Sequence, residues 1–269
     1  MPYEYRSVYF DDPIIEGRAL DIMMPERVTR DVALFFVHGG GWAAGSRAHY
    51  HTIMRAYNER GFICGSTDYR LRGSGASIFD QIADVRHGYD LFITHLKQLG
   101  RPVRVVTHGS SAGAHLNALL SFAEPGECGE PLTVGQVGLV NEWTPPIGAC
   151  LHAVPMTFEP WPDILPSIWA SMQGIVGASY SERPELYRAV SPIQYVDGDL
   201  CPAFILYAEL EYLFLMSEVE PFIEAARAAG CRVDLKVYPR VEHGFFYSLQ
   251  RPQQQEAFED ILKFVDSLG

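Results

Sequence analysis

Short apolar runs alternate with longer stretches of helical spacing along most of the chain. The segment Asp31 to His38 (DVALFFVH) is apolar at every interior position, as expected of a strand covered on both faces. Phe62 to Thr67, Val103 to Thr107, Ile147 to Val154 and Ala203 to Ala208 have the same character. Val233 to Tyr238 (VDLKVY) alternates apolar and polar residues instead, which places it towards a sheet edge. Two further strands, Tyr3 to Phe10 and Ala19 to Met24, are predicted around a turn at Asp11, Asp12 and Pro13.

Helices are predicted between these strands. Ser77 to Leu99 carries Ile78, Ile82, Val85, Tyr89, Phe92, Ile93 and Leu96 at helical spacing. Ser217-Glu218-Val219-Glu220 has the form of a capping box, with Phe222, Ile223 and Ala226 following and Gly230 as a stop. Arg251 to Leu268 supplies a last amphipathic helix. The alternation predicts an α/β protein built on a mostly parallel, eight-stranded, doubly wound sheet with helices on both faces. No repeat or linker divides residues 1–269, so one domain is expected. Segments 121–146, rich in Gly, Pro and Glu, and 155–190 fit the alternation less well. Ile164, Leu165, Ile168, Trp169, Met172, Ile175 and Val176 form a helical stripe in the second. Both segments are candidates for a small cap over a site; packing against the core is the plainer role.

Composition changes this picture little. The 269 residues are 48% hydrophobic and 20% charged, values of an ordinary globular protein. A net charge of −12 argues against nucleic acid, which demands a basic surface. There is no apolar run of bilayer length, and the opening MPYEYRSVYFDD lacks the basic and apolar regions of a signal peptide, so no membrane association and a cytoplasmic location are expected. The five cysteines (Cys64, Cys128, Cys150, Cys201, Cys231) are scattered without a CxxC pair, which predicts free thiols and no metal site.

The chemistry concentrates in three places. After the strand ending at Thr107 comes His108-Gly109-Ser110-Ser111-Ala112-Gly113, then a helical run through Leu116, Leu119 and Leu120. This is G-x-S-x-G in a strand-turn-helix setting, where a tight turn lifts the serine hydroxyl and small flanking residues make room. Ser110 lacks the paired glycines at those offsets, so Ser111 is the candidate nucleophile. His38-Gly39-Gly40-Gly41-Trp42 follows another strand, and its glycines would let backbone N–H groups approach a carbonyl oxygen. Gly40, Gly41 and Ala112 are the expected oxyanion donors. A phosphate loop would need Gly-Lys-Ser/Thr, which does not follow.

A nucleophile of this kind is followed by its acid and then its histidine. His152 lies in an apolar strand pattern and reads as a core residue. His243, just past the last strand, is the candidate base. The acid falls in the loop after Ala203 to Ala208, where Glu209 and Glu211 both qualify and no aspartate competes.

HGGGWAAGSR, the DYRL at 68–71, GSSAGAHL and EHGFF together resemble the α/β-hydrolase superfamily of serine esterases. The likeness lies near the hormone-sensitive-lipase and bifunctional feruloyl/acetyl-xylan esterase branches, with arylformamidases as further relatives, and it runs from about Leu20 to the end. It implies the α/β-hydrolase fold, a Ser-acid-His triad and no metal or organic cofactor. In that family the acid is an aspartate three residues after a strand-ending glycine. Ala208 holds the glycine position here, so the register assigns Glu211. Ser110 stands where the lipase-like branch often has Asp, and Ala114 where a glycine is frequent. Asp84 matches a recurrent family aspartate and is expected to be a structural hydrogen-bonder.

The expected activity is therefore hydrolysis of short-chain acyl esters, acetyl and feruloyl esters of carbohydrate among them. An arylformamidase-like amidase would use the same groups, and a binding protein on an inactive hydrolase scaffold is the reading from another class. Trp42, Trp143, Trp161 and Trp169 are candidates to stack on sugars or aromatic acids, with Trp42 beside the glycine loop taken as substrate-binding.

Overall fold

A computed structural model of the chain describes residues 5–269. The eight expected strands all form and share one sheet. In chain order its strands are β1 (Tyr5–Tyr9), β2 (Ala19–Met23), β3 (Ala33–Val37), β4 (Cys64–Thr67), β5 (Val105–Ser110), β8 (Gly148–His152), β9 (Ala203–Leu210) and β10 (Val233–Glu242). Two short strands, β6 (Thr133–Val134) and β7 (Val137–Gly138), make a separate hairpin. The main sheet runs β1-β2-β4-β3-β5-β8-β9-β10. β2 pairs antiparallel with β1 and β4, and every other pairing is parallel. The part of the Tyr3 to Phe10 prediction before Tyr5 lies outside the described residues.

The helices are α1 (His51–Glu59), α2 (Ile78–Gln98), α3 (Ala112–Phe122), α4 (Pro166–Val176), α5 (Pro184–Ala189), α6 (Met216–Ala228) and α7 (Pro252–Asp266). None is long and apolar enough to cross a membrane, among the described residues. β3 shows why its sequence is apolar throughout. Leu34 and Phe36 pack with Ile53, Met54 and Tyr57 of α1 and with α7 on one face. Ala33, Phe35 and Val37 pack with α2 and α3 on the other. α3 also meets α6 across β8 and β9 through Ala114, Ala118, Phe122, Phe222 and Ile223.

The helix α2 lies within a residue of its predicted bounds because Ser77 caps it. The Ser77 hydroxyl accepts from the Asp80 amide while the Asp80 carboxylate accepts from the Ser77 amide. The box predicted at Ser217 does not cap α6, which starts two residues earlier, at Met216 after Leu215, with Ser217 exposed in its first turn. Starting at Met216 puts that side chain in line with Val219 and Ile223 against the core, and this burial outweighs the cap. β10 takes the edge position its alternation predicted and runs on past Tyr238 through an irregularity to Glu242.

Asp84 is fully buried and holds loops together. It pairs with Arg18 and accepts from the Arg70 amide and Nε at 2.9 and 2.8 Å. The segment 121–146 is fastened to α2 in the same manner. Buried Arg86 pairs with Glu130 and donates to Ala123 O at 2.9 Å, and Asp90 accepts from the Val140 and Asn141 amides at 2.7 and 3.1 Å.

Candidate active site

The parallel strands deliver three loops to their carboxyl edge. β5 ends at Ser110, and Ser111 makes the turn into α3 with φ 55° and ψ −124°, a backbone state that a side chain rarely adopts. Close packing explains the flanking glycines. A Cβ on Gly109 would fall on the Gly113 carbonyl, and one on Gly113 would fall on the carbonyl oxygens of Val37 and His38. The Ser111 amide donates to His152 O at 2.9 Å, which ties the turn to β8. His152 is buried, its Nδ1 3.2 Å from Ser110 Oγ, so it supports the turn from below and does not reach the cavity.

His243 arrives from the loop after β10. Its Nε2 is 2.9 Å from Ser111 Oγ, and its Nδ1 is 2.8 Å from both carboxylate oxygens of Glu211. Glu211 in turn accepts at Oε1 from the amides of Tyr212 and Leu213, at 3.1 and 2.9 Å. Burial alone would raise the Glu211 carboxyl. The hydrogen bond and charge of His243, with the Leu213 and Phe214 amides, outweigh it and hold the carboxyl below its ordinary pKa. Glu209 points elsewhere: its exposed carboxylate accepts from the Arg240 amide at 2.7 Å across the β9–β10 edge.

The glycine loop crosses in front of this row. Gly40 has φ +130° and Gly41 φ +59°, and the Gly40 carbonyl accepts from the Ala43 and Ala44 amides. The amides of Gly40, Gly41 and Ala112 donate to no protein acceptor among the described residues, the state needed of donors awaiting a ligand oxygen. Trp42 borders the cavity but its ring is buried, 1% exposed, between His115 and Phe158. Its carbonyl accepts from Gln81 Nε2 at 2.8 Å, so Trp42 fastens the loop more than it offers a surface. Trp143 packs on Arg86 and Tyr89, and Trp169 on Tyr180 and Tyr187.

A cavity of about 290 Å³ opens over Ser111, walled by Gly40, Gly41, Ile168, Leu213, Phe214 and Tyr247 together with His243. Ile168 and Ser171 come from α4, inside the 155–190 segment, and no residue of 121–146 lines it. A second space of about 370 Å³ adjoins it at Gly40 and Tyr247 and extends to His49. A larger one, about 740 Å³, lies between the loops around Ile14, Gly45 and Leu71 and touches neither Ser111 nor His243. Leu213, Phe214 and Tyr247 were absent from the sequence expectations. Their signal was proximity in sequence: the first two directly follow Glu211, and Tyr247 is four residues past His243.

A mostly parallel sheet with a serine on the β5–α3 turn, a histidine beyond the last strand and a carboxylate beyond the strand before it is the α/β-hydrolase fold. The chain belongs to the BD-FAE family, whose model matches residues 20–215. The model of the dienelactone hydrolase family matches residues 175–268. A probable isoprenylcysteine alpha-carbonyl methylesterase of Arabidopsis thaliana is 27% identical over 98% of this chain and 56% of its own length. Esterase LipQ of Mycobacterium tuberculosis is 26% identical over 80% of this chain and 51% of its own. The chain thus spans about half the length of these relatives. Esterase 2 of Thermogutta terrifontis, solved phosphonylated by sarin, shares the fold with a TM-score of 0.79 at 22% identity, over 100% of this chain and 95% of that one.

Proposed function

We propose that the chain hydrolyses uncharged carboxylic esters through an acyl-enzyme on Ser111. The observation that carries this is the unbroken row of hydrogen bonds from Glu211 through His243 to Ser111, at 2.8 and 2.9 Å. His243 takes the Ser111 proton as the oxygen attacks the ester carbonyl. Glu211 fixes the ring orientation and stabilises the imidazolium that forms. The carbonyl oxygen, now negative, is received by the amides of Gly40, Gly41 and Ala112, and the positive end of α3 favours the same charge. His243 returns its proton to the leaving alcohol, then activates water to release the acid.

The cavity wall supports this substrate class. Among the described residues, no Lys, Arg, Asp or Glu lines the space above Ser111, so a charged acyl group would be desolvated there without a partner. Its volume is at the small end for ligand sites, which suits a short acyl chain against Ile168, Leu213 and Phe214. Acetyl and small aromatic acyl groups suit this wall, with the alcohol half, a carbohydrate included, leaving through the adjoining space at His49. In this reading α4 is the cap element, and 121–146 braces α2. The esterase names of the relatives support the reaction class. The test is turnover of p-nitrophenyl acetate by the purified chain and by Ser111→Ala. Activity in the first and loss in the second is expected, whereas undiminished activity of Ser111→Ala would end the proposal.

A further inference from the structure

Among the hydrogen bonds that hold the glycine loop, three come from different parts of the fold. The Arg47 amide at its far end donates to Asp68 at 2.7 Å. The Trp42 carbonyl in its middle accepts from Gln81 on α2. The Gly39 amide at its start donates to the phenol oxygen of Tyr247 at 3.0 Å. Of these, Tyr247 alone belongs to the loop that carries His243.

We infer that Tyr247 is a positioning residue for the reaction, setting the oxyanion donors against the nucleophile and base. This rests on the esterase reading above. Gly39 leaves no slack: a Cβ there would lie 2.6 Å from Ser110 O, 2.8 Å from the Tyr247 hydroxyl and 3.3 Å from Ser111 Cβ. The Gly39 peptide is therefore wedged between the nucleophile strand and the phenol. Its orientation sets that of the next peptide, which carries the Gly40 amide. Without the hydroxyl, the buried Gly39 N–H loses its acceptor, and the peptide gains a reason to rotate towards another. Gly40 has no side chain to resist that rotation.

The surroundings of the phenol hold it in place. Its ring packs 5.1 Å from the Tyr50 ring and 5.9 Å from that of His49. Burial raises the Tyr247 pKa above its ordinary value, although the nearby Ser110 hydroxyl, the Gly39 amide and the Tyr50 hydroxyl each act to lower it. The hydroxyl is thus neutral at working pH, able to accept from Gly39 and keep its own proton. The ring also stands between the two adjoining spaces, since Tyr247 and Gly40 are the residues common to both.

A residue that only stabilises the fold would alter Tm and the amount of active protein. One that sets the oxyanion donors also alters affinity for a tetrahedral oxyanion. The experiment measures kcat and KM on p-nitrophenyl acetate, inhibition by an alkyl trifluoromethyl ketone, and Tm, for wild type, Tyr247→Phe and Tyr247→His. Tyr247→Phe should lose about tenfold or more in kcat with KM within about twofold, and affinity for the ketone should fall in parallel. Tyr247→His, whose ring nitrogen stops short of the Gly39 amide, should lose about as much of both. A folded Tyr247→Phe with kcat within about twofold of wild type overturns the inference, as does a kcat loss with unchanged ketone affinity. Should Tyr247→Phe fail to fold, Tyr247→His decides by the same comparison: parallel losses support the inference and unequal ones overturn it. A wild-type chain without ester turnover overturns the esterase reading instead.

Discussion

Glu211 holds the Nδ1 of His243 with both carboxylate oxygens at 2.8 Å, while Glu209, two residues earlier, caps the Arg240 amide. The two glutamates differ in where the strand stops. β9 keeps Glu209 in its ladder beside β10, and the turn closed by the Glu211 amide on Ala208 O brings Glu211 back over the sheet. Glu211→Gln should lower kcat by on the order of 10²–10⁴-fold, because an amide cannot stabilise the imidazolium and can bias the ring to the wrong tautomer. Glu209→Gln should stay within about twofold of wild type. Steady-state kinetics on one ester decide, and equal losses would refute the assignment.

The backbone at Ser111 gives a prediction about stability. With φ at 55°, a side chain at this turn stores roughly 1–3 kcal/mol of strain. Glycine removes that strain but loses about 0.5–1 kcal/mol in chain entropy. Both Ser111→Ala and Ser111→Gly should be inactive, and Ser111→Gly should unfold at the higher denaturant concentration. The opposite order would mean that the turn is not strained.

The glycines on either side behave oppositely. Gly113→Ala would drive a methyl into the carbonyls of Val37 and His38, and Gly109→Ala into that of Gly113, all of them backbone atoms that cannot swing aside. Each should cost about 3 kcal/mol or more and yield little folded protein. Chemical denaturation of any soluble fraction measures it.

Acid should weaken this protein earlier than its carboxylates imply. Burial depresses His38 and His115 to about 4 and His108 to about 3, and holds His152 well below 6.5. All four are neutral when folded, whereas the unfolded chain protonates them near 6.5. The unfolded state therefore binds more protons as pH falls through 6.5, and stability present above that pH is lost on the way down to about 4. Four such groups give a slope approaching about 5 kcal/mol per pH unit at its steepest. The lowered Glu211 carboxyl adds loss in the same direction, below its ordinary range. Urea unfolding at pH 7, 6 and 5 tests this, and a flat profile would contradict it.

The wall formed by α4 can be tested by size. Ile168 faces the space over Ser111, so Ile168→Trp should suppress p-nitrophenyl hexanoate turnover about tenfold relative to the acetate. An unchanged ratio of kcat/KM would remove α4 from the acyl wall.

The strands were legible because a sheet buried on both faces needs runs such as Ala33–Val37, and few other structures do. α1 was missed: its nine residues bury only Ile53, Met54, Tyr57 and Asn58, too short a stripe to stand out beside the loop before it. The start of α6 was misread because a local capping signal lost to the packing of Met216. Within the site, Ser111 and His243 could be read from motif and chain order, and Glu211 from register. Tyr247 could not, since what marks it is a bond to Gly39, 208 positions away.

The sheet order has a consequence for how the protein matures. Ser111 leaves a central strand, while His243 follows β10 at the edge, 132 positions later. The nucleophile and base therefore meet only once β8, β9 and β10 are all in place, and such long-range parallel pairing is slow. Reactivity of Ser111 towards a fluorophosphonate thus acts as a clock for completion of this half of the sheet. During refolding it should appear after most helical signal has returned, as the edge strand closes.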